Sequence, residues 1–278
     1  MSKAIFIDVD GTLVDREGNI SLKVKDALKQ LKENGHYVFV CTGRNRRGID
    51  DLIEYFDGAI CSAGGYIEYH NKVIYQKFMS KEDIKEAREI FDQNHILYNL
   101  ESTEMTFQAD GLDKLFVAGN IDEENMNSEM RRLIAEHNQR FNAHSLQEYE
   151  QNPIGIYKMC FIAYHQEDLT EPQKLLSYKY SFIIHEMFST DVINGEIIKK
   201  DTTKATAIEH IINELGVSQE DTICFGDSMN DYEMIKFCHH GVVMANGSQE
   251  LKQYADSICE SVDDDGIYHE LKRLNLCK

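Results

Sequence analysis

The feature that most constrains this chain is a pair of short, nearly unbroken apolar runs at residues 4–9 and 37–41, separated by helical spacing at Val24, Ala27, Leu28 and Leu31. A strand that is apolar on both faces must be covered on both, so such runs belong in the middle of a parallel sheet. Ser21 is placed to cap the intervening helix and Gly35 to end it. The same grammar returns near the other end. Ala207, Ile208, Ile211, Ile212 and Leu215 form a helical stripe, Gly216 stops it, and residues 222–225 read as another strand. The expected fold class is α/β, a doubly wound, Rossmann-like parallel-sheet core built from both ends of the chain.

The middle has a different texture. Helix-like stretches at 84–95 and 126–138 alternate with β-like ones at 114–118, 157–164 and 182–185, an α+β pattern. The expected organisation is a discontinuous core, residues 1–82 and 187–278, interrupted by an inserted α+β domain at 83–186.

Composition narrows the function. Acidic side chains number 48 against 29 basic ones, and a net charge of −19 is wrong for a nucleic-acid binder. A membrane span needs about 20 consecutive apolar residues, far more than any run here, and the start lacks the basic and apolar regions of a secretory signal. Seven cysteines with no Cys-x-x-Cys pair read as reduced, buried thiols. The expectation is a soluble cytoplasmic protein with neither nucleic-acid nor membrane partners.

Four segments carry chemistry, each at a strand end or helix start. Asp8 and Asp10 follow the first strand, and residues two apart in an extended segment project to one side. Alone, Asp10-Gly11 could be a solvated turn. Thr42-Gly43-Arg44 follows the second strand and offers a hydroxyl and backbone N–H groups to an oxyanion. Lys204 sits in the first turn of a helix, where a cation opposes the dipole unless an anion is near. Gly226-Asp227-Ser228-Met229-Asn230-Asp231 follows the late strand. Four carboxylates brought to one crevice would repel each other, so a hard, oxygen-seeking cation such as Mg²⁺ is expected.

With DVDGT at 8–12, CTGR at 41–44, TTKA at 202–205 and GDSMND at 226–231 in this order, the chain resembles the haloacid dehalogenase superfamily, specifically its Cof-type phosphatases of subfamily IIB. The resemblance extends into 241–256 and the DDDG at 263–266. Departures are modest: Ala205 replaces a usual Gly, Ala63-Gly64-Gly65 stands where Asn-Gly is usual, and Asn246-Gly247 where Asn-Ala is common.

The resemblance implies a C2-type cap inserted between Thr42 and Lys204, and hydrolysis of phosphomonoesters through an aspartyl-phosphate. It implies Asp8 as nucleophile and Asp10 as general acid and base, with Asp10 raised in pKa by neighbouring carboxylates. Mg²⁺ would be held by Asp8, the main-chain carbonyl of Asp10 and Asp227. Val9, Thr42, Gly43, Lys204 and Asn230 would bind the phosphoryl group, with Asp231 and Ser228 in support. The implied partner is a small phosphorylated metabolite such as a sugar phosphate.

Arg44, Arg46, Arg47, Lys199, Lys200 and Lys204 supply local positive charge against the acidic whole, and Arg46 and Arg47 read as a solvated helix start. In the cap, His144, Tyr157 and Lys158 read as ordinary surface or core, and His239-His240 lacks the spacing of metal ligands. A dehalogenase would need neither Asp10 nor Asp227. A phosphosugar mutase would share the aspartyl-phosphate, and a phosphoryl-ligand sensor would keep the site for binding alone.

Overall fold

The computed structural model describes residues 2–109, 143–185 and 193–278. Residues 114–118 and 126–138, expected as strand and helix, lie outside these. The described chain runs β1 (Ala4–Ile7), α1 (Leu22–Glu33), β2 (Tyr37–Cys41), β3 (Gly58–Cys61), β4 (Tyr66–Tyr69), β5 (Lys72–Gln76), α2 (Lys81–Gln93), β6 (Leu97–Glu101) and β7 (Thr106–Gln108). Then come β8 (Ala143–Ser145), α3 (Leu146–Gln151), β9 (Lys158–Ala163), α4 (Thr170–Leu176), β10 (Tyr180–His185) and β11 (Ile193–Lys199). It ends with α5 (Lys204–Leu215), β12 (Thr222–Gly226), α6 (Tyr232–Phe237), β13 (His240–Met244), α7 (Gln249–Lys252), β14 (Ser257–Cys259) and α8 (Gly266–Arg273).

The chain divides into two units, one of residues 1–76 with 202–278 and one of residues 77–201. The first carries an eight-stranded sheet in the order β14-β13-β12-β1-β2-β3-β4-β5. The six strands from β14 to β3 pair in parallel, and β4 and β5 extend the sheet antiparallel. β1 is buried on both faces. Ala4 and Phe6 join Phe39, Ile208, Ile211 and Met234 in one apolar cluster, while α1, capped by the Ser21 hydroxyl, lies against β2 and α8. From β1 the chain proceeds through β2 and β3 on one side and later returns to β12 on the other, so β1 and β12 flank a topological switch point. In such sheets the crevice at the carboxyl ends of these strands is the usual ligand site.

Among the described residues the second unit carries a six-stranded sheet, β10-β11-β9-β6-β7-β8, in which the described pairs are antiparallel except for β7 with β8. Its core joins Ile84, Ala87 and Phe91 of α2, Tyr149 of α3 and Leu176 of α4 to Tyr98, Leu100, Met159, Phe161 and Ile197 of the sheet. The expected boundary at 186/187 falls instead at 201/202, and that at 82/83 at 76/77. The larger displacement has a plain cause: β11 pairs with β9 and β10, so its backbone hydrogen bonds tie it to the middle of the chain. Among the described residues no helix is long and apolar enough to cross a membrane.

Candidate active site

The site begins where β1 ends. The Asp8 N–H donates to Phe225 O at 3.0 Å, carrying the ladder with β12 one residue further. Val9 O then accepts from the N–H groups of Thr12, Leu13 and Val14 at 3.3, 3.0 and 3.0 Å. That tight turn places Gly11 at φ +80°, where a side chain would be strained.

Lys204 is the first residue of α5, whose start is fixed by Thr203: the Thr203 hydroxyl accepts from Thr206 N–H at 3.1 Å. The Lys204 ammonium, 3% exposed, donates to Asp8 Oδ1 and Asp231 Oδ1, both at 2.6 Å. Asp231 uses its other oxygen to accept from Asp227 N–H at 2.9 Å and Ser228 N–H at 3.3 Å. This close approach explains Gly226, since a Cβ there would lie 2.6 Å from the Asp231 carboxyl carbon. Asp8, Asp227 and Asp231 each bring one carboxylate oxygen within 4.8 Å of the others.

Three buried carboxylates face one ammonium, and the electrostatics register the imbalance. Burial, then Asp231 and Asp10, push the Asp8 carboxyl up to about 8 against the opposing pull of Lys204. Burial alone would lower the Lys204 ammonium, but Asp231 and Asp8 outweigh it and hold it well above its ordinary value. An all-oxygen set short of positive charge suits a hard divalent cation, so the residues present fit Mg²⁺.

The Asp10 side chain has a partner that the sequence reading did not name. It is clasped by Arg44, Nε to Oδ2 at 2.9 Å and Nη2 to Oδ1 at 2.6 Å, while Arg44 Nη1 donates to Gly48 O at 2.9 Å. The carboxylate cluster therefore contains Asp231 and not the side chain of Asp10. Sequence reading placed Arg44 among local charges and did not single it out; its position two residues after Thr42 is the signal that was there.

Thr42 is buried and anchored by its N–H to Ile60 O at 2.8 Å, and its hydroxyl accepts from Arg44 N–H at 3.1 Å. Gly43 lies buried beside it. The loop after β3 locks this segment in place. Ser62 N–H donates to Arg44 O at 2.7 Å and Ala63 N–H to Thr42 O at 3.1 Å. Ser62 and Ala63 have positive φ, at 48° and 53°, ahead of Gly64 at 106°; in the two non-glycine residues this is a strain that persists only where surrounding structure enforces it. A Cβ on Gly64 would stand 2.3 Å from Thr203 O, so the loop meets the residue that caps α5.

Ser228 Oγ donates to Asn230 Oδ1 at 2.9 Å, which fixes Asn230 beside the acidic loop. Asn246, noted in the sequence only as a departure, braces the turn after β1: its Nδ2 donates to Gly11 O at 2.7 Å and its Oδ1 accepts from Val262 N–H at 3.0 Å. Ser248 N–H donates to Asp227 O at 2.8 Å. Asp8, Lys204, Asp227 and Asp231 are thus brought together, with Thr42, Gly43 and Asn230 in the loops that follow the neighbouring strand ends.

Comparison with known proteins agrees with this architecture. Residues 5–271 match the family profile of the haloacid dehalogenase-like hydrolases. YkrA of Bacillus subtilis is 28% identical over all of this chain and 99% of its own length. The 5-amino-6-(5-phospho-D-ribitylamino)uracil phosphatase YitU of Bacillus subtilis is 25% identical over 96% of each chain. A solved structure of a subclass IIB sugar phosphatase superposes with a TM-score of 0.79 at 22% identity, covering 99% of this chain and 100% of that one, a likeness of fold. With a doubly wound core, a second sheet inserted in the chain between residues 76 and 202, and the acidic cluster at the switch point, this chain belongs to the haloacid dehalogenase-like hydrolases.

Proposed function

We propose that the protein is a Mg²⁺-dependent phosphatase that hydrolyses phosphomonoesters of small hydroxylated metabolites through an aspartyl-phosphate on Asp8. The observation that carries this reading is the convergence of the Asp8, Asp227 and Asp231 carboxylates at the switch point, with Lys204 bonded to Asp8 and Asp231. The substrate class is supported by two relatives, one named for a phosphorylated ribityl compound and one a sugar phosphatase. Seven free, buried cysteines favour a reducing compartment, the cytoplasm.

Asp8, Asp227 and the main-chain carbonyl of Asp10 would hold the cation, with Asp231 bracing Asp227 from behind. When bound, the cation supplies the positive charge that lets a carboxylate approach a phosphate dianion. An Asp8 oxygen attacks phosphorus as the ester P–O bond breaks, and Asp10 gives its proton to the departing alkoxide. Asp10 then takes a proton from the water that attacks phosphorus, the bond to Asp8 oxygen breaks, and inorganic phosphate leaves with Asp8 regenerated. Lys204 keeps Asp8 oriented and, together with the Thr42 hydroxyl and the N–H groups of Val9 and Gly43, offers donors to the transferring oxygens. Asn230 is held by Ser228 where it can join them.

The test is phosphate release from sugar phosphates, polyol phosphates and p-nitrophenyl phosphate, with Mg²⁺ and with chelator, by wild type and Asp8→Asn. Release that needs Mg²⁺ and is lost in the folded variant is the expected result. Release that survives in chelator, or in Asp8→Asn, overturns the reading.

A further inference from the structure

The connection that follows β13, residues 245–248, reaches the loops of three other strands. Asn246 Nδ2 donates to Gly11 O at 2.7 Å, and its Oδ1 accepts from Val262 N–H at 3.0 Å. Gly11 belongs to the turn after β1 and Val262 to the loop after β14. Ser248 N–H donates to Asp227 O, just beyond β12, at 2.8 Å. In the sheet these strands stand in the order β14-β13-β12-β1, so the Asn246 side chain reaches past β12 to the turn after β1. The connection is itself pinned. Gly247 N–H donates to Met244 O at 2.9 Å, Lys252 Nζ to Ala245 O at 2.6 Å, and the Ser248 hydroxyl accepts from Leu251 N–H at 3.1 Å. Gly247 lies so close to the Asp227 main chain that a Cβ would stand 2.6 Å from Asp227 O.

Stability gives little reason for the contact with Gly11. Asn246 is exposed and Gly11 half-buried, so water would serve both groups in its absence. What the bond supplies is orientation. Gly11, at φ +80°, has no side chain to hold its peptide planes, and a glycine is free to turn them. It stands directly after Asp10, whose carboxylate is gripped by Arg44 from the loop after β2. β2 and β12 flank β1 on opposite sides. Asp10 is thus held by its side chain from one side of β1 and, one residue on, by the main chain from the other.

We propose that Asn246 is a positioning residue: by fixing the Gly11 carbonyl it holds the Asp10–Gly11 segment in place relative to Asp227, the two parts of the chain that would share the cation. One pinned turn holds both, since Asn246 takes Gly11 and Ser248 takes Asp227. Groups that orient metal ligands without touching the metal typically cost about 10- to 100-fold in affinity or activity when removed. Arg44 governs the Asp10 carboxylate and Asn246 the main chain beside it, so loss of Asn246 reaches both Mg²⁺ binding and proton transfer. The inference rests on the phosphatase reading for the roles of Asp10 and the cation; the fixing of the turn can be measured apart from either.

The experiment compares wild type with Asn246→Ala. Hydrogen exchange in chelator reads the turn itself: the amides of Thr12, Leu13 and Val14, bonded to Val9 O, should exchange about 5-fold faster in the variant, the effect of losing one hydrogen bond. Asn246→Asp, which keeps the bond from Val262 N–H and loses only the donor to Gly11 O, should show the same acceleration. Calorimetric titration of Asn246→Ala should show Mg²⁺ affinity lowered at least about 10-fold, and kcat for p-nitrophenyl phosphate at saturating Mg²⁺ should fall by a similar factor with KM little changed. The urea midpoint should stay near that of wild type, because the residue is exposed. Unchanged exchange at 12–14 in either variant, or unchanged Mg²⁺ affinity, overturns the proposal. So does a loss of activity accompanied by a lower urea midpoint and a raised KM, which marks general loosening of the fold. If wild type releases no phosphate, faster exchange with weaker Mg²⁺ binding still supports the positioning role. If wild type is a phosphatase and Asn246→Ala binds Mg²⁺ and turns over equally well, the proposal falls and the phosphatase reading stands.

Discussion

Arg44 grips Asp10 with two parallel hydrogen bonds, at 2.6 and 2.9 Å, and is itself tied by Nη1 to Gly48 O. A bidentate guanidinium fixes both the rotamer and the plane of a carboxylate. In the proposed mechanism Asp10 transfers protons through one oxygen, which must leave its Arg44 donor for the step, so Arg44 acts on the reaction by holding the other oxygen and with it the position of Asp10. Arg44→Ala should lower kcat by about 10- to 100-fold with a smaller change in KM, the loss expected when a reacting group is misplaced. Methylguanidine should restore part of it, and Arg44→Lys should not, because an ammonium cannot make the paired contact. An unchanged kcat, or full activity in the lysine variant, would remove Arg44 from this role.

Lys204 balances the buried carboxylates Asp8 and Asp231. Lys204→Met should therefore destabilise the metal-free protein by about 3–5 kcal/mol, the cost of stranding buried charge. Millimolar Mg²⁺ should raise the melting temperature of the variant more than that of wild type, because the cation restores positive charge to the same oxygens. Thermal melts in chelator and in Mg²⁺ decide this; equal Mg²⁺ shifts in both proteins would contradict the shared cluster.

Gly226 gives Asp231 its room. A methyl at Gly226 would sit 2.6 Å from the Asp231 carboxyl group, so Gly226→Ala should cost about 1–3 kcal/mol through overpacking and weaken Mg²⁺ binding by displacing Asp231 from Asp227 N–H. Denaturant unfolding and Mg²⁺ titration check the two effects. Wild-type values in both would mean that the loop yields without disturbing the site.

Glu270 of α8 offers a test of pH dependence well away from the acidic cluster. Burial alone would raise its carboxyl, but Arg273 and Ser257, at 2.5 to 2.7 Å, and His240 hold it below its ordinary value of 4.5. A carboxyl lowered on folding stabilises the protein above its unfolded pKa, and that stability is lost as pH falls through the folded value. Glu270→Gln should accordingly be less stable than wild type near pH 7, with the gap closing below about pH 4. A gap of constant size across that range in urea unfolding would show that ionisation of Glu270 contributes nothing.

Much of the core was legible in the sequence because its signals are local. The Ser21 cap and the helical spacing from Val24 to Leu31 define α1, and Thr203 and Gly216, the latter at φ +66°, bracket α5. The strands at 37–41 and 222–225 match β2 and, within a residue, β12. The hairpin extension β4–β5 was not read, since 66–76 mixes apolar and charged residues, with β4 largely buried and β5 forming the exposed sheet edge. The insertion was extended too little at its C-terminal end because β11 resembles any apolar strand until its partners are known.

By itself, then, the sequence determined which residues stand at the strand ends: Asp8, Thr42 and Asp227, with Lys204 at the start of a helix. Periodicity and capping act over one or two turns of chain, and those positions follow from them. Only the tertiary structure decided that Arg44 clasps Asp10, that Asp231 shares Lys204 with Asp8, and that Lys158 is buried between two glutamates. These pairs lie 27 to 196 residues apart. Their meeting depends on strand order and register, which set long-range distances that no local pattern encodes.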